Sequence, residues 1–516
     1  MRRLTTLDPT MASATARFGV LHRVRASSLI IPAGIVALVV IMGVSAYLRT
    51  RALLAGFWID EGLSVGIASH SLTDIPSVLR LDGSPPLFYL LLHGWMAVAG
   101  TSEAATRALP LLFALLAVPV SYWAGSAAFG RRAGALAAAG AAGCPFLTYY
   151  AQETRMYSMV AVLSVLASAS FVLAFVHGRR RHVWLLGLWL VLLLYAHNWA
   201  LFLVAGMAAG WLWLWHEGRV EARDGALLAA GVALAYAPWV PSLLFQAGHT
   251  AAPWSSRPTP LSLLAIPGVL FGFVALPLLA LGTGAALQRA RPSVGTRLLA
   301  LVGGVAALLA FLGSQLEPAW APRYLAILFG PLLLALAAVL ARGARWTWLP
   351  LLGVALVWLA SAPAPVKSNV RTAASTVMPE LRPGDLVVCT QPEQVPVLAR
   401  YLPPGLRYVT PLGAVAEPQV SDWRDGLSRL RGGRAAFVLG PEIRRLPRGR
   451  RVLLVTPVFQ HFSQAPWNRA VRSRTREWRA WLAAHPALRS LGPAPHAPWP
   501  RPRSGVRTQL FEKLSG

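Results

Sequence analysis

The sequence has few cysteines, lysines and charged residues of any kind. Its two cysteines, Cys144 and Cys389, are far apart, so neither a disulfide framework nor a cysteine-based metal site can be argued. Lys367 and Lys513 are the only lysines, so nearly all the positive charge is arginine. Charged residues make up 13% of the 516, and 55% are hydrophobic, which is too apolar for a soluble protein of several domains. The composition indicates a polytopic membrane protein.

A net charge of +28 would suggest a nucleic-acid partner in a soluble protein. Most of these arginines lie in short stretches between apolar runs or in the last third of the chain, so we expect no nucleic-acid partner. The last third of the chain has no glycine-rich phosphate loop and no nucleophile elbow, and the outer loops have no Asp-x-Asp or histidine-rich ligand set. We therefore expect no metal and no cofactor, although the adjacent Asp60 and Glu61 could bind a metal adventitiously.

Eleven apolar runs predict eleven membrane crossings. Arginines precede the first run, as in a signal peptide, but that run is long enough to span and has no convincing cleavage site, so we predict a retained helix with a cytoplasmic N-terminus. The predicted parts are a cytoplasmic segment (1–28), an all-α membrane bundle (29–361) and a small extracytoplasmic α/β domain (362–516). The runs cover 29–48, 108–129, 133–147, 156–176, 183–197, 200–215, 226–245, 261–287, 298–313, 325–341 and 346–360.

Arginine is distributed unequally between the two sets of loops. The predicted cytoplasmic loops hold Arg131, Arg132, Arg179, Arg180, Arg181, Arg219, Arg223, Arg289, Arg291, Arg297, Arg342 and Arg345. The alternate loops after the first hold at most one each: Arg155, Arg257 and Arg323. This asymmetry follows the positive-inside rule. It predicts a multi-pass protein of the cell membrane with its polar loop residues, including Asp60, Arg155 and Arg323, together at the outer face.

The first outer loop is long and carries its own helix signals. Residues 87–99 are apolar but too short to span, and they follow Pro85 and Pro86, which predicts an interfacial helix. Residues 61–81 predict a second, partly amphipathic helix. Two such helices would hold Asp60 and Glu61 at the edge of the lipid.

Beyond residue 360, hydrophobic periodicity shortens and indicates strands at 386–389, 406–409, 435–439 and 452–455, with helices around 392–401, 423–430 and 467–484. This pattern is typical of a small α/β domain. Its role remains open. The domain covers the site or contacts the acceptor, or else it contributes stability alone.

Five short motifs in this order resemble glycosyltransferase family 39, the dolichyl-phosphate-mannose protein mannosyltransferase-like group of the GT-C superfamily. They are Trp58-Ile59-Asp60-Glu61, Ser84-Pro85-Pro86-Leu87-Phe88-Tyr89, Arg107-Ala108-Leu109-Pro110, Tyr150-Ala151-Gln152-Glu153-Thr154-Arg155-Met156-Tyr157 and Pro322-Arg323-Tyr324-Leu325. The resemblance is strongest over 58–175, weaker to about 341, and absent from the last third. It implies a membrane enzyme that uses a polyprenyl-phosphate-linked sugar as donor and takes its catalytic acidic residue from the first outer loop.

Such chemistry needs a base near the acceptor hydroxyl and fixed cations near the leaving phosphate. Asp60 is our preferred base. Glu61 is the second candidate, because an acidic residue at a helix start has a structural reason to be there: it satisfies the free backbone N–H groups. Arginine contacts two phosphate oxygens and stays charged, which selects Arg155 and Arg323, then Arg107. Arg155 and Arg323 could instead anchor lipid headgroups.

Several further residues are candidates for orienting the sugar or phosphate. We expect Glu153 to hold Arg155 by pairing with it, whereas His197 with Asn198 is more often a satisfied polar pair at a helix end than a catalytic one. The orienting candidates are Gln152, Glu153, Tyr157, Tyr89, Tyr324 and His197.

Three functions remain open at this point: a glycosyltransferase acting on a glycan, lipid or protein acceptor, a transporter or flippase of lipid-linked sugars, and a structural membrane subunit. A transporter should place ionisable residues near the middle of the membrane. Here they cluster at one face, which favours the enzyme. The sequence leaves open which sugar is transferred, mannose-like or other.

Overall fold

The computed structural model describes residues 33–250, 252–343, 367–458, 464–493 and 504–514. Up to residue 343 the described chain is helical, and a small sheet domain follows from residue 367. The helices of the first part are α1 (Ala33–Thr50), α2 (Ile59–Ala68), α3 (Ile75–Asp82), α4 (Leu87–Ala99), α5 (Glu103–Phe129), α6 (Arg131–Ala142), α7 (Pro145–Tyr150), α8 (Tyr157–Phe175), α9 (Arg181–Ala196), α10 (Ala200–His216), α11 (Ala222–Tyr236), α12 (Val240–His249), α13 (Pro260–Leu264), α14 (Ile266–Phe271), α15 (Leu276–Arg289), α16 (Val294–Leu316) and α17 (Phe329–Arg342).

The described chain has five helical segments that are long and apolar enough to cross a membrane by length and composition. They are Glu103–Phe129, Tyr157–Phe175, Ala222–His249, Val294–Leu316 and Pro322–Arg342. Shorter apolar helices accompany them, so the polytopic helical bundle is confirmed, whereas the number of eleven crossings stays a prediction. Of the predicted crossings, 346–360 and the start of 29–48 lie outside the described residues.

Proline and glycine break two of the predicted runs. The run 133–147 is divided into α6 and α7, because Pro145 begins a new helix after Gly143 and Cys144. The run 261–287 is divided into α13, α14 and α15. Gly272, directly after α14, has a φ of 94°, which a residue with a Cβ rarely adopts.

The segment between α1 and α5, predicted as the first outer loop, holds three helices. The predicted helix at 87–99 is confirmed as α4 with the same bounds, and its interfacial position stays a prediction. The predicted helix at 61–81 is wrong as a single element, because the chain turns between Ser69 and Asp74 and divides it into α2 and α3.

Helix α8 forms the centre of the bundle, because nearly all of its residues are buried. Helix α17 approaches it closely at Gly330, where an added Cβ would lie 2.2 Å from the backbone oxygen of Ser164. Small residues at such crossings let membrane helices pack backbone to backbone.

The domain after residue 367 is a six-stranded mixed sheet in the order β3-β2-β1-β4-β6-β5. Strands β2, β1 and β4 are parallel, and β3, β6 and β5 are antiparallel to their neighbours. Its elements are α18 (Val370–Val377), β1 (Leu386–Cys389), α19 (Val395–Tyr401), β2 (Arg407–Thr410), β3 (Gly413–Val415), α20 (Gly426–Gly432), α21 (Ala435–Arg445), β4 (Arg451–Val458), α22 (Pro466–Ala484), β5 (Leu488–Pro493) and β6 (Gly505–Lys513).

The predicted strand at 435–439 is wrong, because this segment begins helix α21. Ala435, Leu439 and Ile443 recur every four residues and are buried against the sheet, while Phe437 is exposed. A helix explains this spacing, and a strand of period two does not.

The two faces of the sheet have different partners. Along β1, Leu386 and Val388 face a core formed with α21 and α22, while Val387 and Cys389 belong to the hydrophobic core that continues into the membrane bundle. This second core also includes buried residues of α18 and α19, and α19 packs against α2 of the bundle.

Candidate functional site

The site is built around the first turn of α2. Trp58 is the extended residue before the helix, and Asp60 and Glu61 follow within the first turn. Because successive helical residues point about 100° apart, the two carboxylates face different surroundings. Glu61 is completely buried, and the side chain of Asp60 is 17% exposed.

Glu61 forms a buried ion pair with Arg107 on α5. The guanidinium donates from Nε to Oε1 at 2.7 Å and from Nη2 to Oε2 at 2.6 Å. The backbone N–H of Thr154 also donates to this carboxylate at 3.0 Å, and Arg107 Nη1 donates to the carbonyl of Leu53 at 2.7 Å. This two-point pair fixes the start of α2 against α5.

Asp60 faces a second arginine. Arg323 Nη2 lies 3.9 Å from Asp60 Oδ2. Oδ2 is buried and, within the described residues, has no hydrogen-bond partner. A buried carboxylate oxygen without a partner costs free energy, so this arrangement is expected at a site whose partner is a substrate.

Arg155 lies beside this pair and completes a cationic region. Its Nη1 donates to Ser64 at 3.2 Å and to the Tyr89 hydroxyl at 3.1 Å. The Nε atoms of Arg155 and Arg323 and the Tyr157 hydroxyl, all buried, are unpaired as far as the described chain extends. Donors without partners around a carboxylate form a site able to receive a phosphate and sugar hydroxyls.

Aromatic rings enclose the two arginines. Arg323 lies over the ring of Trp254 at 4.6 Å and over that of Tyr324 at 5.4 Å, and Arg155 lies 5.9 Å from the centre of the Tyr157 ring. His197 packs edge-on against Tyr324, with ring centres 4.7 Å apart.

Gln152 and Glu153 lie at the back of this region. Gln152 donates to the carbonyl of Thr148 at 3.0 Å. Glu153 does not hold Arg155 by an ion pair as expected; instead it accepts from Lys367 Nζ at 2.8 Å. The buried Lys367 also lies 4.4 Å above the ring of Tyr149, and it joins the C-terminal domain to the site loop.

Sequence reasoning missed three residues around the site: Asp82, Trp254 and Lys367. Burial raises the pKa of the Asp82 carboxyl above its usual range, and the charge of Asp60 adds to the rise while Arg155 opposes it. Asp82 ends α3 just before the Ser84-Pro85-Pro86 motif, which was the available signal. Lys367 is one of only two lysines, but nothing in the sequence indicated that it pairs with Glu153.

The arginine-rich loops meet at the opposite end of the same helices. A cavity of about 740 Å³ is lined by Arg131, Arg132, Arg179 and Arg342, among others. Helix α8 begins with Tyr157 at the site and ends near this cavity, and the segment Pro322–Arg342 begins beside Arg323 and ends there. The predicted grouping of outer-loop residues on one face, away from the arginine-rich loops, agrees with this arrangement.

No group of three or more histidine, cysteine, aspartate or glutamate side chains suited to a metal occurs in the described ranges.

The fold is similar to those of solved membrane glycosyltransferases. ArnT from Cupriavidus metallidurans, solved bound to undecaprenyl phosphate, has a TM-score of 0.56 and 14% identity over 93% of this chain and 98% of its own. The archaeal oligosaccharyltransferase AglB from Archaeoglobus fulgidus, solved with an inhibitory peptide and a dolichol-phosphate, has a TM-score of 0.51 and 13% identity over 81% of this chain and 69% of its own. Arabinofuranosyltransferase AftD from Mycobacteria has a TM-score of 0.50 and 14% identity over 93% of this chain and 42% of its own.

These likenesses show that the chain shares the fold of these proteins, and its long apolar helices agree with a multi-pass membrane protein. No protein-family model matches the sequence, and no curated protein does. The narrower resemblance to glycosyltransferase family 39 therefore stays a prediction.

Proposed function

We propose that this protein is an integral-membrane glycosyltransferase that moves a sugar from a polyprenyl-phosphate donor to an acceptor hydroxyl, with inversion, at the outer face of the membrane. One observation carries the proposal: the Asp60 carboxylate oxygen that has no hydrogen-bond partner among the described residues lies 3.9 Å from Arg323 and beside Arg155. The GT-C fold, shared with proteins solved with undecaprenyl phosphate and dolichol-phosphate, supports it.

Arg155 and Arg323 are the proposed donor-phosphate ligands. The leaving phosphate gains charge as the glycosidic bond breaks, and a fixed guanidinium stabilises that charge more than it stabilises the ground state. Arg155 is held by two hydroxyls, and Arg323 by the ring of Trp254 and its long contact with Asp60. Their remaining N–H groups are therefore available to phosphate oxygens. Tyr157, Tyr89, Tyr324 and His197 line the same space and orient the sugar.

Asp60 is the proposed general base. It takes the proton of the acceptor hydroxyl while that oxygen attacks the anomeric carbon from the side opposite the phosphate. The electron pair of the glycosidic bond leaves with the polyprenyl phosphate. Glu61 and Arg107 contact each other rather than the site, and they act by positioning α2.

A transporter is less well supported. Arg49, at the end of α1, is a buried arginine within the bundle, but it donates to the carbonyls of Ala114 at 2.7 Å and Ala141 at 2.6 Å. These bonds tie α1 to α5 and α6, which is a structural role. The other ionisable candidates gather at one end of the helices, as an enzyme at a membrane face requires.

The test is Asp60→Asn, which keeps the shape of the side chain and removes its basicity. Sugar transfer from a radiolabelled polyprenyl-phosphate sugar to an envelope extract should fall about 10²- to 10⁴-fold, the usual contribution of a general base. Binding of the donor lipid and thermal stability should stay near wild type. Asp74→Asn, in the exposed turn before α3, is the matched control and should transfer normally. A fully active Asp60→Asn enzyme would end this mechanism.

A further inference from the structure

A cavity separates the C-terminal domain from the end of α3. Its volume is about 240 Å³, and its described lining includes Leu81, Glu393, Trp423, Arg429 and Trp467. Pockets for drug-sized ligands are usually roughly 300–1,000 Å³, so this one suits a single small ring. The backbone of Trp423 donates to the carbonyl of Leu81 at 3.0 Å, one residue before Asp82 of the site.

Glu393 is the central polar group of the cavity. One oxygen accepts from Gln391 at 2.8 Å and from the indole of Trp467 at 2.9 Å. The other oxygen is buried and has no partner in the part of the chain that the structure describes. The residue is 7% exposed, and burial raises the pKa of its carboxyl, with the charge of Asp60 adding to the rise. An acceptor this deeply buried calls for a donor from a ligand.

Two tryptophans form the apolar wall. The rings of Trp423 and Trp467 lie 4.8 Å apart at 46°, and Trp423 is only half-buried. Trp254 packs against the same cluster and also carries Arg323 on its ring, so one aromatic side chain touches both the cavity wall and the proposed reaction site. Aromatic faces suit the C–H face of a sugar ring, whose edge carries hydroxyls for a carboxylate.

The charge of the lining excludes an anion as the preferred ligand. Its described ionisable residues are Glu393, Glu417, Asp422 and Arg429, and Arg429 is already paired with Asp422 at 3.0 Å. Glu417 is hydrogen-bonded to His70 of the turn after α2. A neutral molecule rich in hydroxyls fits this surface better than a phosphate or a carboxylate.

We propose that this cavity binds a neutral sugar ring of the acceptor, held by Trp423 and Glu393, so that the acceptor is a glycan. This assignment of the acceptor rests on the proposed transferase function. It gives the C-terminal domain a specific role: the domain binds one sugar unit of the acceptor glycan, while a hydroxyl of a different sugar unit reaches Asp60.

The test is a titration of the full-length protein in nanodiscs with neutral methyl glycosides, followed by saturation-transfer NMR. The panel comprises methyl mannopyranoside, methyl galactopyranoside and methyl arabinofuranoside, with glucose 6-phosphate as the anionic comparison. At least one neutral glycoside should bind, and Trp423→Ala should weaken that binding about three- to tenfold through loss of the aromatic face. Glu393→Gln should weaken it about tenfold, because a hydrogen bond to a charged group is lost.

Matched controls in the same domain are Trp481→Ala and Glu442→Gln, which lie outside the cavity lining. Both should bind the glycoside like the wild type. Thermal unfolding of each variant shows whether the domain remains folded.

The proposal is overturned if no neutral glycoside binds, if binding survives both cavity variants unchanged, or if the sugar phosphate binds more tightly. The titration contains no donor lipid, so its result is independent of Asp60→Asn. Normal glycoside binding by a protein whose transfer does not need Asp60 would contradict the proposed mechanism and leave the sugar site standing.

Discussion

At the scale of single residues, the buried pair of Glu61 and Arg107 has a measurable effect on stability. Glu61→Gln leaves a buried guanidinium without its counter-charge, so the free energy of unfolding should fall by about 3–5 kcal/mol. Arg107→Gln should cost a similar amount, and the double variant should cost less than the sum, because both charges are then gone. Chemical denaturation of the detergent-solubilised protein measures all three. A loss below about 1 kcal/mol for each single variant would place the pair among weak surface pairs.

Arg155 and Arg323 yield a prediction about turnover. Lysine keeps the charge but cannot reproduce a planar two-point contact, so Arg155→Lys and Arg323→Lys should lower turnover more than they weaken acceptor binding. Steady-state transfer assays separate the two effects. The variant Arg257→Lys, in the exposed loop between α12 and α13, is the matched control and should be unaffected. Unchanged turnover in both site variants would reassign these arginines to anchoring lipid headgroups.

The neighbouring carboxylates were only partly predictable. A helix start at Glu61 was expected, whereas the helix begins two residues earlier, at Ile59. The expected helix-start contact of Glu61 is present, since the Trp58 N–H donates to it at 3.4 Å. Its stronger partner, Arg107, is 46 residues away, and such distant pairing has no local signal.

At the scale of elements, α2 links the site to the C-terminal domain through two glycines. A Cβ on Gly66 would lie 2.0 Å from the carbonyl oxygen of Gln419, and one on Gly62 would lie 2.7 Å from the Cα of Val397. Both obstacles are backbone atoms, so they cannot rotate away. The helix that carries Asp60 therefore depends on close contact with the domain.

Gly66→Ala should accordingly destabilise the protein by about 1–3 kcal/mol, as overpacking does. It should also make the C-terminal domain more sensitive to limited proteolysis. Gly94→Ala, in α4, is the matched control: nothing lies within 4 Å of its added Cβ, and it should stabilise by about 0.5–1 kcal/mol through helix propensity. Equal effects of the two substitutions on the melting temperature would show that α2 does not need this close approach.

Elements were predictable where one local rule decided them. Helix α4 follows two prolines and ends at Ala99, directly before Gly100, so both its bounds could be predicted. Segment 435–439 was not, because five apolar residues fit either a strand or a buried helix, and only packing against the sheet decides between them. Strand β6 was missed because polar residues interrupt its apolar pattern, although it pairs with β4 over eight positions.

At the scale of the whole molecule, the site and the C-terminal domain share one face. Lys367 reaches Glu153, and Tyr401 of α19 donates to Glu103 at 2.8 Å while it accepts from the backbone of Phe57 at 2.8 Å. Arg342, in contrast, lines the arginine cavity at the other end of the bundle. Loop charge predicted this division of faces, whereas the contacts that fix the domain depend on tertiary packing and were not readable.

The orientation of these faces in the membrane is the last prediction. The positive-inside rule places the arginine cavity in the cytoplasm, and the domain that contacts the site must then lie outside. A reporter that works only in the cytoplasm should be silent when fused after Gly516, and one that works only outside should be active there. The control fusion, after Gly218 in an arginine-rich loop, should give the reverse result. A cytoplasmic signal after Gly516 would mean that the bundle has the opposite orientation in the membrane. Because the domain is packed on α2, Asp60 and both donor-site arginines would then lie at the inner face.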